Sequence, residues 1–97
     1  MNARLSVDES SRLAFERGVR LQFDRNRDAW TLMAPEKVVV LDDIAHAIVE
    51  ASLTAPVSVA EAIDALAASF EAPRDEIAGD VVNLLQGFAD KRLIRSQ

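Results

Sequence analysis

The sequence predicts a small α+β domain, with an antiparallel β-meander in its first half and three helices in its second. Three observations carry this expectation. Between residues 18 and 41 apolar and polar side chains alternate with period two, and clusters of turn-forming residues interrupt them. From Asp42 onward the apolar residues recur at helical spacing, with capping residues where each helical stretch begins. Only short turns separate the six segments.

Residues 1–12 mix charges with little period and are expected as an N-terminal arm, either disordered or pinned by Leu13 and Phe15; the domain proper spans 13–97. From Gly18, the apolar Val19, Leu21 and Phe23 alternate with Arg20 and Gln22, as in a half-buried first strand. Asp24-Arg25-Asn26-Arg27-Asp28 is a turn cluster in which Asn26 is the residue best suited to a positive φ. Trp30 and Leu32 resume the alternation around Thr31, and Pro35 marks the next turn. The third strand, Lys37-Val38-Val39-Val40-Leu41, is apolar on both faces. Val38 and Val40 share one face, Val39 and Leu41 the other, and the sequence leaves open which pair meets the helices. An outer strand of a meander has unpaired N–H and C=O groups, a template for another extended chain.

Asp42 or Asp43 caps the first helix, with Ile44, Ile48 and Ala51 expected inward and Thr54-Ala55-Pro56 as its stop. Ser58-Val59-Ala60-Glu61 is a capping box opening the second helix, whose stripe is Val59, Ile63, Leu66, Ala67 and Phe70. Ala72-Pro73 opens the third, about 20 residues long by its pattern. Asp75 and Glu76 suit its positive end, Lys91 and Arg92 its negative end. Ile77, Val81, Leu84, Leu85 and Phe88 form its stripe. Ala78, Val82 and Ala89 widen that stripe along one flank, either as a groove wall or as a seat for the first helix. Three strands followed by three helices is the order of a winged helix-turn-helix-like domain.

At 97 residues, 49% hydrophobic and 28% charged, the chain has the composition of one ordinary globular domain. It has no cysteine, which excludes disulfides, thiolate zinc sites and thiol catalysis. No apolar signal core or membrane-length run is present, so a cytoplasmic location and no membrane partner are expected. Residues 1–40 hold seven basic and six acidic side chains, net +1, whereas residues 41–97 hold four and ten, net −6. An acidic helical half repels phosphate backbones, so no nucleic-acid partner is expected.

Little in the chain suggests catalysis. His46 is the only histidine and cannot found a zinc site without companions. Asp42-Asp43 reads as a cap and a dipole-favoured acid rather than a catalytic pair. Gly18, Gly79 and Gly87 are too dispersed to cradle a phosphate. Trp30 is expected as a core anchor, and Arg20, Arg25 and Arg27 as solvated charges around a turn. No enzyme activity and no cofactor are expected.

Gly18-Val19-Arg20-Leu21, Asp24, Arg27, Trp30 and Leu32-Met33-Ala34-Pro35-Glu36, with Ala72-Pro73, Asp80-Val81, Leu84-Leu85 and Arg92-Leu93-Ile94 downstream, make a pattern. It resembles the PqqD family of pyrroloquinoline quinone (PQQ) biosynthesis over about residues 13–95. Met33 replaces the second leucine of the family's usual pair, and Ala55-Pro56 stands where relatives often have glycine. The resemblance implies a non-catalytic peptide chaperone that binds the ribosomal precursor peptide PqqA. The chaperone would present PqqA to the radical SAM enzyme PqqE, which cross-links a Glu and a Tyr within it. In such domains the leader adds as a strand beside the third strand, in a groove closed by the third helix. Carried onto this chain, strand pairing falls to Lys37, Val38, Val39, Val40 and Leu41, and groove contacts to Ala78, Val82, Leu85 and Ala89. Two alternatives stay open: a winged-helix DNA-binding protein, and a homo-oligomeric structural domain in which the third strand or the arm pairs with a second copy. A homodimer is also compatible with the chaperone.

Overall fold

The computed structural model describes residues 5–97. In chain order these form β1 (Leu13–Phe15), β2 (Arg20–Asp24), β3 (Ala29–Ala34), β4 (Lys37–Leu41), α1 (Asp43–Leu53), α2 (Val59–Phe70), α3 (Arg74–Asp90) and β5 (Ile94–Ser96). The expected meander is the antiparallel sheet β2-β3-β4, and the three helices follow it. The fold is α+β.

Local chemistry explains most element ends. Asp24 Oδ1 accepts from the backbone N–H groups of Asn26 (2.9 Å) and Arg27 (3.3 Å), closing the first turn. The left-handed residue of that turn is Asp28 at φ +52°, not Asn26, because it is the last loop residue before β3 begins. Gly18 sits at φ +82°, and a Cβ there would lie 3.3 Å from Pro35 Cγ. Asp42 caps α1, its carboxylate accepting from Ala45 N at 2.7 Å. Ser58 and Glu61 complete the capping box of α2 reciprocally. Helix α3 is 17 residues long and ends in a Schellman turn. Arg92 takes φ +60°, its N–H donating to Ala89 O (3.0 Å) and Leu93 N–H to Phe88 O (2.9 Å).

That turn sends the chain into β5, which pairs antiparallel with β1 as a separate two-stranded sheet. Neither strand was expected, because three residues carry no readable period. Together they seat Leu13 and Ile94 in the core beside Leu93. The core runs from Leu32 and Leu41 of the sheet through Ile48 and Val49 of α1 and Ile63 of α2 to Val81, Leu85 and Phe88 of α3. Ala45, Ile48 and Val49 form the inner face of α1, whereas Ile44, expected inward, is 59% exposed.

Of the expected arm, residues 1–4 lie outside the described residues. Residues 5–12 are packed. Val7 is buried, its N–H donates to Gln86 Oε1 (2.9 Å), and Gln86 Nε2 donates to Leu5 O (2.8 Å). Further along, Ala60 N–H donates to Glu9 O and Val59 N–H to Ser11 O. Arg74 bridges Glu9 (2.7 Å) and Asp64 (2.6 Å).

Candidate functional site

The site is built on β4. Pro35 and Glu36 make a two-residue turn, so the flanking Ala34 and Lys37 exchange both hydrogen bonds of the closing pair. Alternation then assigns Val39 (opposite Leu32) and Leu41 (opposite Trp30) to the hydrogen-bonded positions facing β3. The N–H and C=O groups of Val38 and Val40 therefore point away from the sheet. Among the described residues no strand pairs with that edge. Side chains resolve the parity that the sequence left open: Leu41 is buried and Val39 packs on the core, whereas Val38 and Val40 are 40% and 54% exposed. Of the five strand residues expected to pair with a peptide, two offer free backbone. The opposite edge of the sheet, β2, carries the charged Arg20 and Asp24, a usual protection against pairing.

One side-chain contact joins β4 to the end of α3. Lys37 Nζ donates to Lys91 O at 3.2 Å, setting an ammonium on the negative end of the helix. Near the other end of the strand, Asp80, Asn83 and Leu84 share a cavity of about 360 Å³ with Asp42, Ile44, Ala45 and Ile48. The helix rises about 16 Å from residue 80 to residue 91 and the strand spans about 14 Å, so the two lengths match. On α3, the residues that line this cavity are Asp80, Asn83 and Leu84.

The groove residues expected from sequence lie elsewhere on α3. Leu85 is fully buried and belongs to the core. Ala78, Val82 and Ala89 lie on the flank of α3 shared with Gln86, whose side-chain amide holds the backbone of residues 5–7. That flank is apolar because the N-terminal segment of the chain runs along it.

Trp30, opposite Leu41 in the ladder, stacks on His46 of α1 with ring centroids 4.5 Å apart and planes 8° from parallel. Phe23 meets Trp30 edge-on at 5.5 Å. This aromatic row closes the Leu41 end of the sheet against α1. His46 Nε2 lies 3.1 Å from Glu50 Oε1, without the alignment a hydrogen bond needs. Arg27 is paired to Asp24 at 2.6 Å. Among the described residues no cluster of three or more acidic or histidine side chains is assembled that could hold a metal ion, and no helix is long and apolar enough to cross a membrane.

The arrangement offers backbone hydrogen bonds and an apolar-to-acidic groove, with no nucleophile or acid–base pair. Comparison with known proteins gives the family. A family model described as Coenzyme PQQ synthesis protein D (PqqD) matches residues 29–94. A PqqA binding protein of Rhodopseudomonas palustris (strain TIE-1) is 47% identical over 88 residues, covering 91% of this chain and 85% of that protein. One from Xanthomonas campestris pv. campestris (strain 8004) is 44% identical over 90 residues, covering 93% and 97%. The solution NMR structure of the PqqD truncation of Methylobacterium extorquens PqqCD is described as a stand-alone recognition element for ribosomally synthesized, post-translationally modified peptides. It superposes with TM-score 0.75 at 30% identity over 92% of this chain and 94% of its own. The crystal structure of PqqD from Xanthomonas campestris gives TM-score 0.57 at 47% identity, over 81% and 87%.

Proposed function

This chain belongs to the PqqD family, and on that premise we propose that it binds the precursor peptide PqqA by strand addition to β4 and presents it to the radical SAM enzyme PqqE. It is a peptide-binding protein of PQQ biosynthesis and not a catalyst. The observation that carries the mechanism is the outward backbone of Val38 and Val40 on an edge that pairs with no strand among the described residues. Backbone pairing supplies affinity that tolerates sequence, and side chains entering the groove at alternate positions supply selectivity. Relatives at 44% and 47% identity have the name of PqqA binding proteins, which supports PqqA as the ligand. DNA binding is disfavoured, since α3 carries Asp75, Glu76, Asp80 and Asp90 against Arg74 as its one basic residue.

Titrating the chain with synthetic PqqA by calorimetry tests the reading. Val38→Pro and Val40→Pro each remove an outward donor while sparing the β3–β4 ladder, and edge strands accept proline at such positions. Each is expected to weaken PqqA binding about three- to tenfold. Val39→Pro, which removes a donor used inside the sheet, is expected to destabilise the fold itself. Full affinity in folded Val38→Pro and Val40→Pro variants would refute strand addition. Sedimentation across concentration separates the alternative in which a second copy fills the edge, since that predicts a mass that grows with concentration.

A further inference from the structure

Beyond the Leu41 end of β4, the cavity beside Asp42 and Ile44 continues into a second one of about 220 Å³. This pocket is walled by Ile44, Ile48, Leu66, Phe70, Ile77 and Val81, with Asp80 as its polar member. The two cavities share Ile44, Ile48 and Asp80, so the pocket prolongs the groove past the last free backbone position. It draws on all three helices, and its outer walls are unusually bare: Ile44 is 59% and Phe70 49% exposed. A cavity of about 150 Å³ lined by such residues takes up benzene, so this one suits a single phenyl or branched aliphatic side chain.

The charge at the pocket has one sign. Among the described residues no hydrogen bond or ion pair engages the Asp80 carboxylate, and Asp42 and Asp43 stand at the start of α1 nearby. No basic side chain lines either cavity. An anionic rim beside an apolar socket complements a peptide in which a bulky apolar residue neighbours a lysine or arginine.

We infer that this pocket receives an apolar anchor of the peptide that pairs with β4, outside the paired stretch and next to a basic residue that faces Asp80. The inference rests on the strand-addition reading and adds to it a second point of attachment that sets register. Backbone pairing alone is indifferent to sliding by two residues; a socket at a fixed distance from the strand end is not.

The test uses calorimetric titration of the full chain with synthetic PqqA from Rhodopseudomonas palustris. Ile44→Ala combined with Phe70→Ala is expected to weaken binding about tenfold or more. Asp80→Asn is expected to weaken it and to flatten its dependence on salt. Asn26→Ala, an exposed position in the turn between β2 and β3, is expected to leave affinity unchanged. Should the double variant disturb helix packing, methyl spectra of the unaltered chain decide the matter. The δ1 methyls of Ile44, Ile48 and Ile77 shift as PqqA is added, and replacing one apolar PqqA residue by alanine removes those shifts. Undiminished affinity in a folded double variant, or unmoved methyls at saturation, overturns the socket and leaves strand addition standing. An unaltered chain that does not bind PqqA overturns both.

Discussion

Gly18 holds φ +82° in the turn that leads into β2, and Pro35 lies against the position of its missing Cβ. Gly18→Ala therefore meets two penalties, a left-handed backbone and a close contact, and is expected to lower stability by about 1–2 kcal/mol in denaturant titrations. The same local logic, carried across a two-residue turn, decides which amides a partner meets. Pro35-Glu36 fixes Ala34 and Lys37 as a bonded pair, and from there Val38 and Val40 are outward by alternation. Sequence made the strand legible but not its parity, because Val38, Val39 and Val40 are identical and periodicity cannot rank them. Packing resolved it, since only Val39 and Leu41 meet the core. His46 and Trp30 are separate features in the sequence; their stacking depends on the meander folding over α1. His46→Ala is expected to cost about 1 kcal/mol and to shift the emission of the sole tryptophan.

Where the chain has strong end signals, its helices were legible. The capping box at Ser58 and the cap at Asp42 are formed as their spacing implies. Ser58→Ala is expected to cost about 1 kcal/mol in thermal unfolding, because Glu61 N–H loses its acceptor. Two helix ends are left-handed without glycine, Glu71 after α2 at φ +52° and Arg92 after α3 at φ +60°. Glu71→Gly and Arg92→Gly are each expected to stabilise by about 0.5–1 kcal/mol, a gain readable in melting temperature. Strands β1 and β5 were not legible, since three-residue strands depend on partners more than 70 positions away. The N-terminal segment's place on α3 was hidden for a related reason. Ala78, Val82 and Ala89 advertise an interface, but one filled by residues 5–7 of the same chain, which only the fold brings there.

Across the molecule, the N-terminal segment and the helical half are joined by charge as well as by Val7. The Arg74 guanidinium, bonded to Glu9, holds the Glu9 carboxyl below its ordinary 4.5, and the same pairing raises Arg74. Arg27 likewise lowers Asp24 from its ordinary 3.8. A carboxyl that titrates lower when folded stabilises fully above its unfolded value and loses that contribution as pH falls through the folded one. Stability is thus expected to decline below about pH 4.5, and Arg74→Gln to lose part of that acid dependence in unfolding curves followed downward from about pH 6. Because these groups are exposed, the effect is expected to shrink in high salt.

The N-terminal segment is held on α3 by Gln86, while the outer edge of β4 pairs with no strand among the described residues. Amide hydrogen exchange at β4, with and without saturating PqqA, reads that freedom directly. The amides of Val38 and Val40 are expected to exchange fast in the free chain and slowly in the complex, while Val39 and Leu41 stay protected in both. Val38 and Val40 amides that exchange equally fast with PqqA fully bound would contradict the account.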